Sequence, residues 1–354
     1  MRHIVMPSFQ LPPLFLPNLL ILLFFVLGDL VWRRLSPSWG LSNGSWVATY
    51  ILFFMLRTGF FILWILMQFL LRQVPLYTHH ISLWVFLVPN LLLLGFGIYG
   101  LCIEPFRLTE SHLEIRVPGL GQHRRIVQLS DLHVEGTTKR ELALPRYVNN
   151  LHPDMIVITG DLINKSISND PQNQAALREL VANLNAPLGI YIVNGNNDKS
   201  PQSLQKILQG LDARVLQDDV LRIPELGSQF VLLGLNYLGW SHDNDELAIL
   251  MSQTKPDDFS LLLYHNPDLI YAASDLNVDL YLTGHTHGGQ VRLPWYGALF
   301  TRSRYGRRFQ MGQYQVGKTT LFISRGLGLT GGLVPQVRFL CPPEVVTIDL
   351  LPEK

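Results

Sequence analysis

Seven side chains with oxygen or imidazole donor atoms stand directly after short apolar runs in the C-terminal two thirds of the sequence. These residues are Asp131, His133, Asp161, Asn196, His265, His285 and His287. The set contains no thiolate, and such donors suit manganese, iron, zinc or nickel. One carboxylate can bridge two metals, and two metals about 3.5–4 Å apart can clamp a phosphoryl group. The donors therefore predict a dinuclear metal site that serves phosphoryl chemistry.

Two pairs of these donors are separated by a single residue, Asp131 with His133 and His285 with His287. Alternate residues of an extended segment point to the same side, so each pair can approach one site. A single Asp or His at a strand end is usually a cap or a turn residue. Five such elements in one order, each after an apolar run, indicate a metal site instead.

The donors follow runs rich in Val, Ile and Leu, such as RIVQLSDLH, MIVITGDLIN, GIYIVNGNND, FSLLLYHNPD and DLYLTGHTHGG. Runs of this kind are typical of strands that are buried on both faces. Helix-like segments lie between several of them, for example over 140–150 and 173–185. Open α/β sheets bind their ligands beyond the carboxyl ends of the strands. The sequence therefore predicts an α/β layered domain with its site at those ends.

The first 103 residues differ in composition from the rest, because they contain only six charged side chains. Three apolar stretches stand out there, Leu14–Trp32, Trp46–Leu71 and Ile81–Ile103. Each reaches the ~20 residues needed to cross a hydrocarbon core. A cleaved signal peptide is the alternative for the first stretch, but no small-residue cleavage site follows it and two more stretches come after. An all-α transmembrane region of about three helices is the prediction.

These observations divide the chain into a transmembrane region over 1–103, a connecting segment over 104–124 and a catalytic domain over 125–354. The net charge of +1 splits into +4 for the first 103 residues and −3 for the remainder. That balance excludes a globally basic nucleic-acid binder. Two cysteines cannot form a disulfide framework.

Asp29 and Arg57 lie inside apolar stretches, where a lone charge is costly. Two interpretations stay open at this stage. The residues could form a buried pair that holds the first two helices together, or Arg57 could extend to lipid headgroups or water.

Arginines beside the spans bear on the orientation of the chain. With three spans, Arg33 and Arg34 share a side with Arg107 at the start of the large domain, whereas Arg2 and Arg72 lie opposite. Positive residues are enriched on the cytoplasmic side. This bias favours a multi-pass protein of the inner (cytoplasmic) membrane with a cytoplasmic catalytic domain.

The blocks SDLH, GD, GNND, YHNPD and GHTHGG resemble the five motifs of the calcineurin-like metallophosphoesterase superfamily. The later segments GQVRLP, SRYGRRF, ISRGLG and VRFLCPPE resemble its bacterial YkuE/YaeI-type branch. The resemblance extends from about Ile126 to the C-terminus. It implies a four-layer αββα sandwich with two central sheets, preceded here by the transmembrane region.

The resemblance also implies a role for each matching residue. Asp131, His133 and His287 would bind a first metal, Asp161 would bridge, and the second site would comprise Asn196, His265 and His285. Two divalent metal ions would be the cofactors, with manganese preferred over iron, zinc or nickel. A metal-bridging hydroxide would attack phosphorus in line.

One position departs from the family motif, which usually reads GNHD or GNHE. Asn197 occupies the place of the expected histidine and is followed by Asp198. An amide can donate a hydrogen bond to a phosphoryl oxygen, but it cannot deliver a proton to a leaving group. Asn197 and Asp198 are the predicted catalytic pair, and either another residue supplies the acid or the leaving group needs none.

An arginine-rich region follows the last histidine motif and includes Arg292, Arg302, Arg304, Arg307, Arg308 and Arg325. The planar guanidinium of arginine suits phosphate, so these residues could bind a second phosphate or anionic headgroups. Alternatively, they could form a solvated basic loop. The apolar segment 293–300 interrupts the region. It could touch acyl chains or simply cover a sheet.

The leading hypothesis is a membrane-anchored dinuclear phosphohydrolase that acts on a phosphorylated, lipid-linked substrate and binds no nucleic acid. The most specific candidate reaction is hydrolysis of the UDP-2,3-diacylglucosamine pyrophosphate in lipid A synthesis. One alternative is a general phosphodiesterase or phosphatase whose anchor only localises it. The other is an inactive metal-binding membrane scaffold, which Asn197 suggests.

Overall fold

The computed structural model of the chain describes residues 15–35, 47–71, 79–164, 168–238, 240–330 and 336–353. The predicted span limits Leu14 and Trp46 lie outside the described residues, as do Arg2 and Arg72 of the orientation argument.

Three apolar helices begin the described chain: α1 (Phe15–Leu35), α2 (Val47–Leu71) and α3 (His79–Ile98). Each contributes a window that is long and apolar enough to cross a membrane, and the third such span extends over Leu83–Phe106. A π-helical turn at Tyr99–Ile103 and a short 3-10 turn carry α3 towards the catalytic domain. The prediction of three apolar spans is confirmed.

An ion pair joins the first two helices inside the bundle. Arg57 is fully buried and donates to both carboxylate oxygens of Asp29, over 2.7 and 2.9 Å. Its guanidinium also donates to Asn90 Oδ1 on α3, over 3.2 Å, and lies 4.7 Å from the centre of the Phe25 ring. The buried-pair interpretation is therefore confirmed, and the interpretation in which Arg57 extends to headgroups is wrong.

Replacing Arg57 alone should destabilise the bundle, because it leaves the largely buried carboxylate of Asp29 without its partner. Breaking a buried pair from one side costs about 3–5 kcal/mol, whereas replacing both partners with apolar residues is often neutral. We expect Arg57→Leu to lower the free energy of unfolding in SDS titrations by that amount. Adding Asp29→Leu should restore most of it. Arg33→Leu, at an exposed site on α1, is the control, and equal losses in Arg57→Leu and Arg33→Leu would refute the pair's contribution.

Two six-stranded sheets form the centre of the catalytic domain. The first has the order β1 (Thr109–Val117), β14 (Glu344–Pro352), β2 (Arg124–Leu129), β3 (Met155–Thr159), β4 (Ile190–Val193) and β5 (Arg214–Val215). The second has the order β12 (Gly312–Val316), β13 (Thr319–Ile323), β9 (Leu280–Thr283), β8 (Phe259–Leu263), β7 (Phe230–Gly234) and β6 (Asp219–Arg222). Strands β2 to β5 are parallel, as are β7, β8, β9 and β13. A small hairpin, β10 (Arg292–Leu293) and β11 (Gly297–Ala298), stands apart from both sheets.

Helices cover the outer face of each sheet. On the first sheet these are α4 (Lys139–Asn149), α5 (Pro171–Ala182) and α6 (Pro201–Leu208). On the second they are α7 (Trp240–Met251) and α8 (Ile270–Asp275). A third apolar cluster fills the space between the two sheets. The fold is thus the four-layer αββα sandwich, as predicted.

Part of the predicted connecting segment 104–124 belongs to the catalytic domain. Strand β1 lies within it and pairs in parallel with β14 over nine residues, from Thr109 with Glu344 to Val117 with Pro352. Every second side chain of β1 is exposed, and the side chains between them are half-buried or buried. This explains why its sequence lacks the apolar run of a central strand. The enzyme domain therefore begins a few residues after the third span.

Candidate metal centre

The two sheets present their carboxyl ends to one cleft, and all seven predicted donors lie there. In the first sheet, Asp131 and His133 follow β2, Asp161 follows β3 and Asn196 follows β4. In the second, His265 follows β8, whereas His285 and His287 follow β9. The parallel strands make these ends coincide, so donors that are up to 156 residues apart in sequence share one site.

The backbone at the strand ends is unusual. Five donor residues have a positive φ: Asp131 (50°), His133 (44°), Asp161 (55°), His285 (68°) and His287 (51°). Such left-handed backbone is uncommon for residues other than glycine and tends to occur at functional sites. Gly160 has a φ of 89°, and a Cβ there would lie 2.6 Å from Nδ1 of His265. The sharp turn before Asp161 therefore requires glycine at position 160.

Four buried donors form the first cluster, with ligand atoms that all lie within 4.8 Å of one another: Asp131, His133, Asp161 and His287. His133 Nε2 lies 3.5 Å from Asp161 Oδ2, and His287 Nε2 lies 3.2 Å from Asp131 Oδ1. The two imidazole nitrogens face each other over 3.0 Å. Nitrogens and carboxylates that converge in this way fit a divalent cation.

A second cluster adjoins the first. His265 Nε2 lies 3.4 Å from Asp161 Oδ2, 3.2 Å from Asn196 Oδ1 and 3.2 Å from His285 Nδ1. The same oxygen of Asp161 is therefore within 3.5 Å of a histidine from each cluster. This is the place that a bridging carboxylate requires.

Burial and charge set the protonation of the donors. Burial lowers the pKa of His133 to about 4 and that of His285 to about 3, so both are neutral near pH 7, the form that ligates a metal. Burial would raise the pKa of Asp161, but His265 and His133 outweigh it and hold that pKa well below its usual range. Burial also lowers the pKa of His265, yet the charge and hydrogen bond of Asp161 raise it to about 9. Burial would also raise the pKa of Asp131, but His287 and His265 hold it below its usual range. Two carboxylates thus outweigh the one positive charge on His265, and the site favours a cation.

Outer contacts orient the donors, as is general at metal sites. His133 Nδ1 lies 2.7 Å from Asn164 Oδ1, and His265 Nδ1 lies 2.8 Å from the Thr159 carbonyl oxygen. Ser130 donates its hydroxyl to Asp131 over 2.6 Å. Sequence reasoning missed all three partners, although Ser130 stands inside the SDLH motif and Asn164 follows Asp161 by three residues.

These contacts continue to the membrane helices. Asn164 donates to Glu135, and Gln336 donates to the same carboxylate over 3.2 Å. The backbone N–H of Gln336 donates to Thr49 Oγ1 on α2, over 2.8 Å. A chain of hydrogen bonds thus links a transmembrane helix to His133.

The two predicted catalytic residues occupy different positions. Asn197 faces the centre, and its side-chain and backbone N–H groups each donate to Asp161 over 2.7 Å. Asp198 faces away, and its buried carboxylate accepts from four backbone N–H groups, those of Asp161, Leu162, Ile163 and Gly195. Burial and the charge of Asp161 raise its pKa to about 7. Both of its oxygens are thus used in holding the strand-end loops, and its role in catalysis stays a prediction.

The six arginines that the sequence analysis named beyond the last histidine motif divide into two groups. Arg325 forms an ion pair with Glu344 over 2.9 Å, and Arg292 donates to the Gly288 carbonyl over 2.8 Å. These two arginines therefore stabilise the local structure next to the metal centre. The other four are exposed: Arg302, Arg304, Arg307 and Arg308.

Two packed sheets with convergent carboxylates, imidazoles and an amide at their strand ends define a metal-dependent phosphoesterase. The family model of the calcineurin-like phosphoesterases matches residues 124–289. The chain belongs to the metallophosphoesterase family of that type, as its similarity to YkuE of Bacillus subtilis also shows.

Similarity to individual relatives covers most of the chain. YkuE, a metallophosphoesterase, is 32% identical over 265 residues, which cover 72% of this chain and 90% of YkuE. Metallophosphoesterase Cj0846 of Campylobacter jejuni is 28% identical over 342 residues, covering 92% of this chain and 86% of Cj0846. LpxG of Chlamydia muridarum, a UDP-2,3-diacylglucosamine pyrophosphatase, is 25% identical over 314 residues, covering 71% of this chain and 92% of LpxG.

Proposed function

We propose that the protein is a membrane-anchored, dinuclear metal-dependent phosphohydrolase that cleaves a phosphoester or pyrophosphate bond in a lipid-linked substrate. The observation that carries the proposal is the position of Asp161, whose Oδ2 lies between a histidine of each cluster. The hydrogen-bonded connection from α2 to His133 also supports an activity at the membrane.

Each donor has a role in this proposal. One metal would be held by Asp131, His133 and His287, the other would be held by Asn196, His265 and His285, and Asp161 would serve both. Divalent metals at such sites act as Lewis acids and acidify water. Manganese is the proposed metal, because the donors mix hard oxygens with imidazole. Asn197 donates one side-chain N–H to Asp161, and its second N–H would donate to a phosphoryl oxygen.

The proposed substrate is the pyrophosphate of UDP-2,3-diacylglucosamine or a lipid pyrophosphate of similar chemistry. Support comes from LpxG, which carries out that activity and resembles this chain over most of its length. The transmembrane helices would hold the enzyme beside an acylated substrate, and this would connect it to lipid A synthesis.

Purified protein tests the proposal directly. After metal removal and reloading with Mn²⁺, we expect hydrolysis of bis-p-nitrophenyl phosphate and of UDP-2,3-diacylglucosamine in mixed micelles, and loss of both activities with EDTA. Hydrolysis of the aryl diester alone would favour the general phosphodiesterase. Failure on both substrates with manganese, iron, zinc and nickel would favour the inactive scaffold.

We further propose that the protein spans the inner (cytoplasmic) membrane three times with its catalytic domain in the cytoplasm. Arg33 and Arg34 end α1 on the side where α3 leads into that domain, and positive residues favour the cytoplasmic side. A fluorescent protein fused after Lys354 should therefore fluoresce, and alkaline phosphatase fused there should be inactive. The opposite pair of results would place the enzyme on the far side, away from nucleotide-activated precursors.

A further inference from the structure

The hairpin region 291–300 exposes an unusual amount of apolar surface. Outside the three spans, nine large apolar side chains of the described residues are exposed. Five of these lie in this hairpin, and a sixth is Leu340, which follows Phe339. They are Leu293, Trp295, Tyr296, Leu299, Phe300 and Leu340. Trp295 is fully exposed and Phe300 is 72% exposed. The segment therefore does not cover a sheet, and a patch of this kind marks an interaction surface.

The base of the hairpin packs against the membrane helices. Val291 pairs with Phe339, and Arg292 N–H donates to the Phe339 carbonyl over 2.9 Å. The Phe339 ring centre lies 4.8 Å from that of Phe96 on α3. Phe96 precedes the end of the third span, Leu83–Phe106, by ten residues, or roughly 15 Å at the helical rise. The base of the hairpin thus lies beside the C-terminal part of the third span.

Basic residues adjoin the apolar tip. From residue 280 to residue 343 the sequence has seven Arg and one Lys but no Asp or Glu. The Arg307 guanidinium lies 3.9 Å from the centre of the Tyr296 ring and donates to its carbonyl oxygen over 3.0 Å. Aromatic rings beside arginine are typical of a membrane–water interface, and clustered cations attract anionic lipids.

We propose that the hairpin 291–300 inserts into the membrane that the chain's own helices span. The apolar tip enters the acyl region, while Arg302, Arg304, Arg307 and Arg308 lie among anionic headgroups. Because His287 precedes the hairpin by only four residues, this contact fixes the metal centre close to the lipid surface. The partner is the anionic bilayer itself, and the proposal does not depend on which bond the enzyme cleaves.

Depth measurement with spin labels tests this contact without any activity assay. Trp295→Cys and Phe300→Cys are each introduced with Cys102→Ala, while the buried Cys341 remains. The control is Leu142→Cys on α4, another exposed apolar site. The proteins are labelled in nanodiscs of phosphatidylglycerol and phosphatidylcholine, and collision with oxygen and with a water-soluble nickel chelate is compared.

We expect the labels at 295 and 300 to collide at least several-fold more with oxygen relative to nickel than the label at 142. Equal ratios at all three sites would overturn the proposal, because the hairpin would then lie in water. Protection of the 295 label from both reagents would also overturn it, because the hairpin would then contact protein. Using two sites guards against a single variant that folds poorly.

Discussion

Asp161→Asn should abolish hydrolysis. Its Oδ2 lies within 3.5 Å of an imidazole nitrogen from each cluster, so its loss should weaken both proposed metal sites together. An amide keeps the volume and one oxygen but removes the charge that balances two cations. We expect a loss of more than a hundred-fold in kcat, about 2.7 kcal/mol in barrier terms, together with less bound metal after gel filtration.

A matched variant on the same strand separates this effect from misfolding. Asp154 stands at the opposite end of β3 and accepts from Arg124 and from the Arg125 backbone N–H. Asp154→Asn should change stability slightly and leave the metal content intact. Circular dichroism and melting curves show whether Asp161→Asn remains folded. Retention of more than about a tenth of wild-type activity, 1.4 kcal/mol or less, would remove Asp161 from the bridging position.

The candidate site could be predicted because its signals are local. Each donor follows an apolar run that forms a buried strand, and parallel strands bring their carboxyl ends to one edge. His133 and His287 therefore come together although 154 residues separate them. The spans were predictable for a similar reason, since a run of about 20 consecutive apolar residues has the length needed to cross a hydrocarbon core.

Other features could not be predicted, because they depend on the direction of a side chain or on a distant partner. Asp198 lies within the same motif as Asn197, and a turn of the backbone sends one side chain to the centre and the other to backbone N–H groups. Gln336 reaches Thr49 across 287 positions. No sequence pattern marks such a contact in a single chain.

Asn197 is expected to make the enzyme selective for good leaving groups. Splitting a dialkyl phosphodiester expels an alkoxide, which leaves poorly near neutral pH unless it is protonated. General acid catalysis accelerates such a step by about 10²–10⁴-fold. The Asn197 amide donates to Asp161 over 2.7 Å and has no proton to transfer. Splitting a pyrophosphate expels a phosphate monoester, which leaves as an anion. Wild-type kcat/KM should therefore be at least about a hundred-fold lower for a dialkyl diester than for the UDP-sugar lipid.

Two substitutions at this position distinguish proton transfer from shape. Asn197→His restores an ionisable group and should raise kcat/KM for the alkyl diester at least about ten-fold relative to the pyrophosphate. Asn197→Gln keeps an amide, so its selectivity should resemble that of wild type. An aryl diester is the internal standard, because its leaving group needs little protonation and its relative rate should change least. Equal cleavage of alkyl diester and pyrophosphate by wild type would mean that another group, such as a neighbouring histidine, already donates the proton.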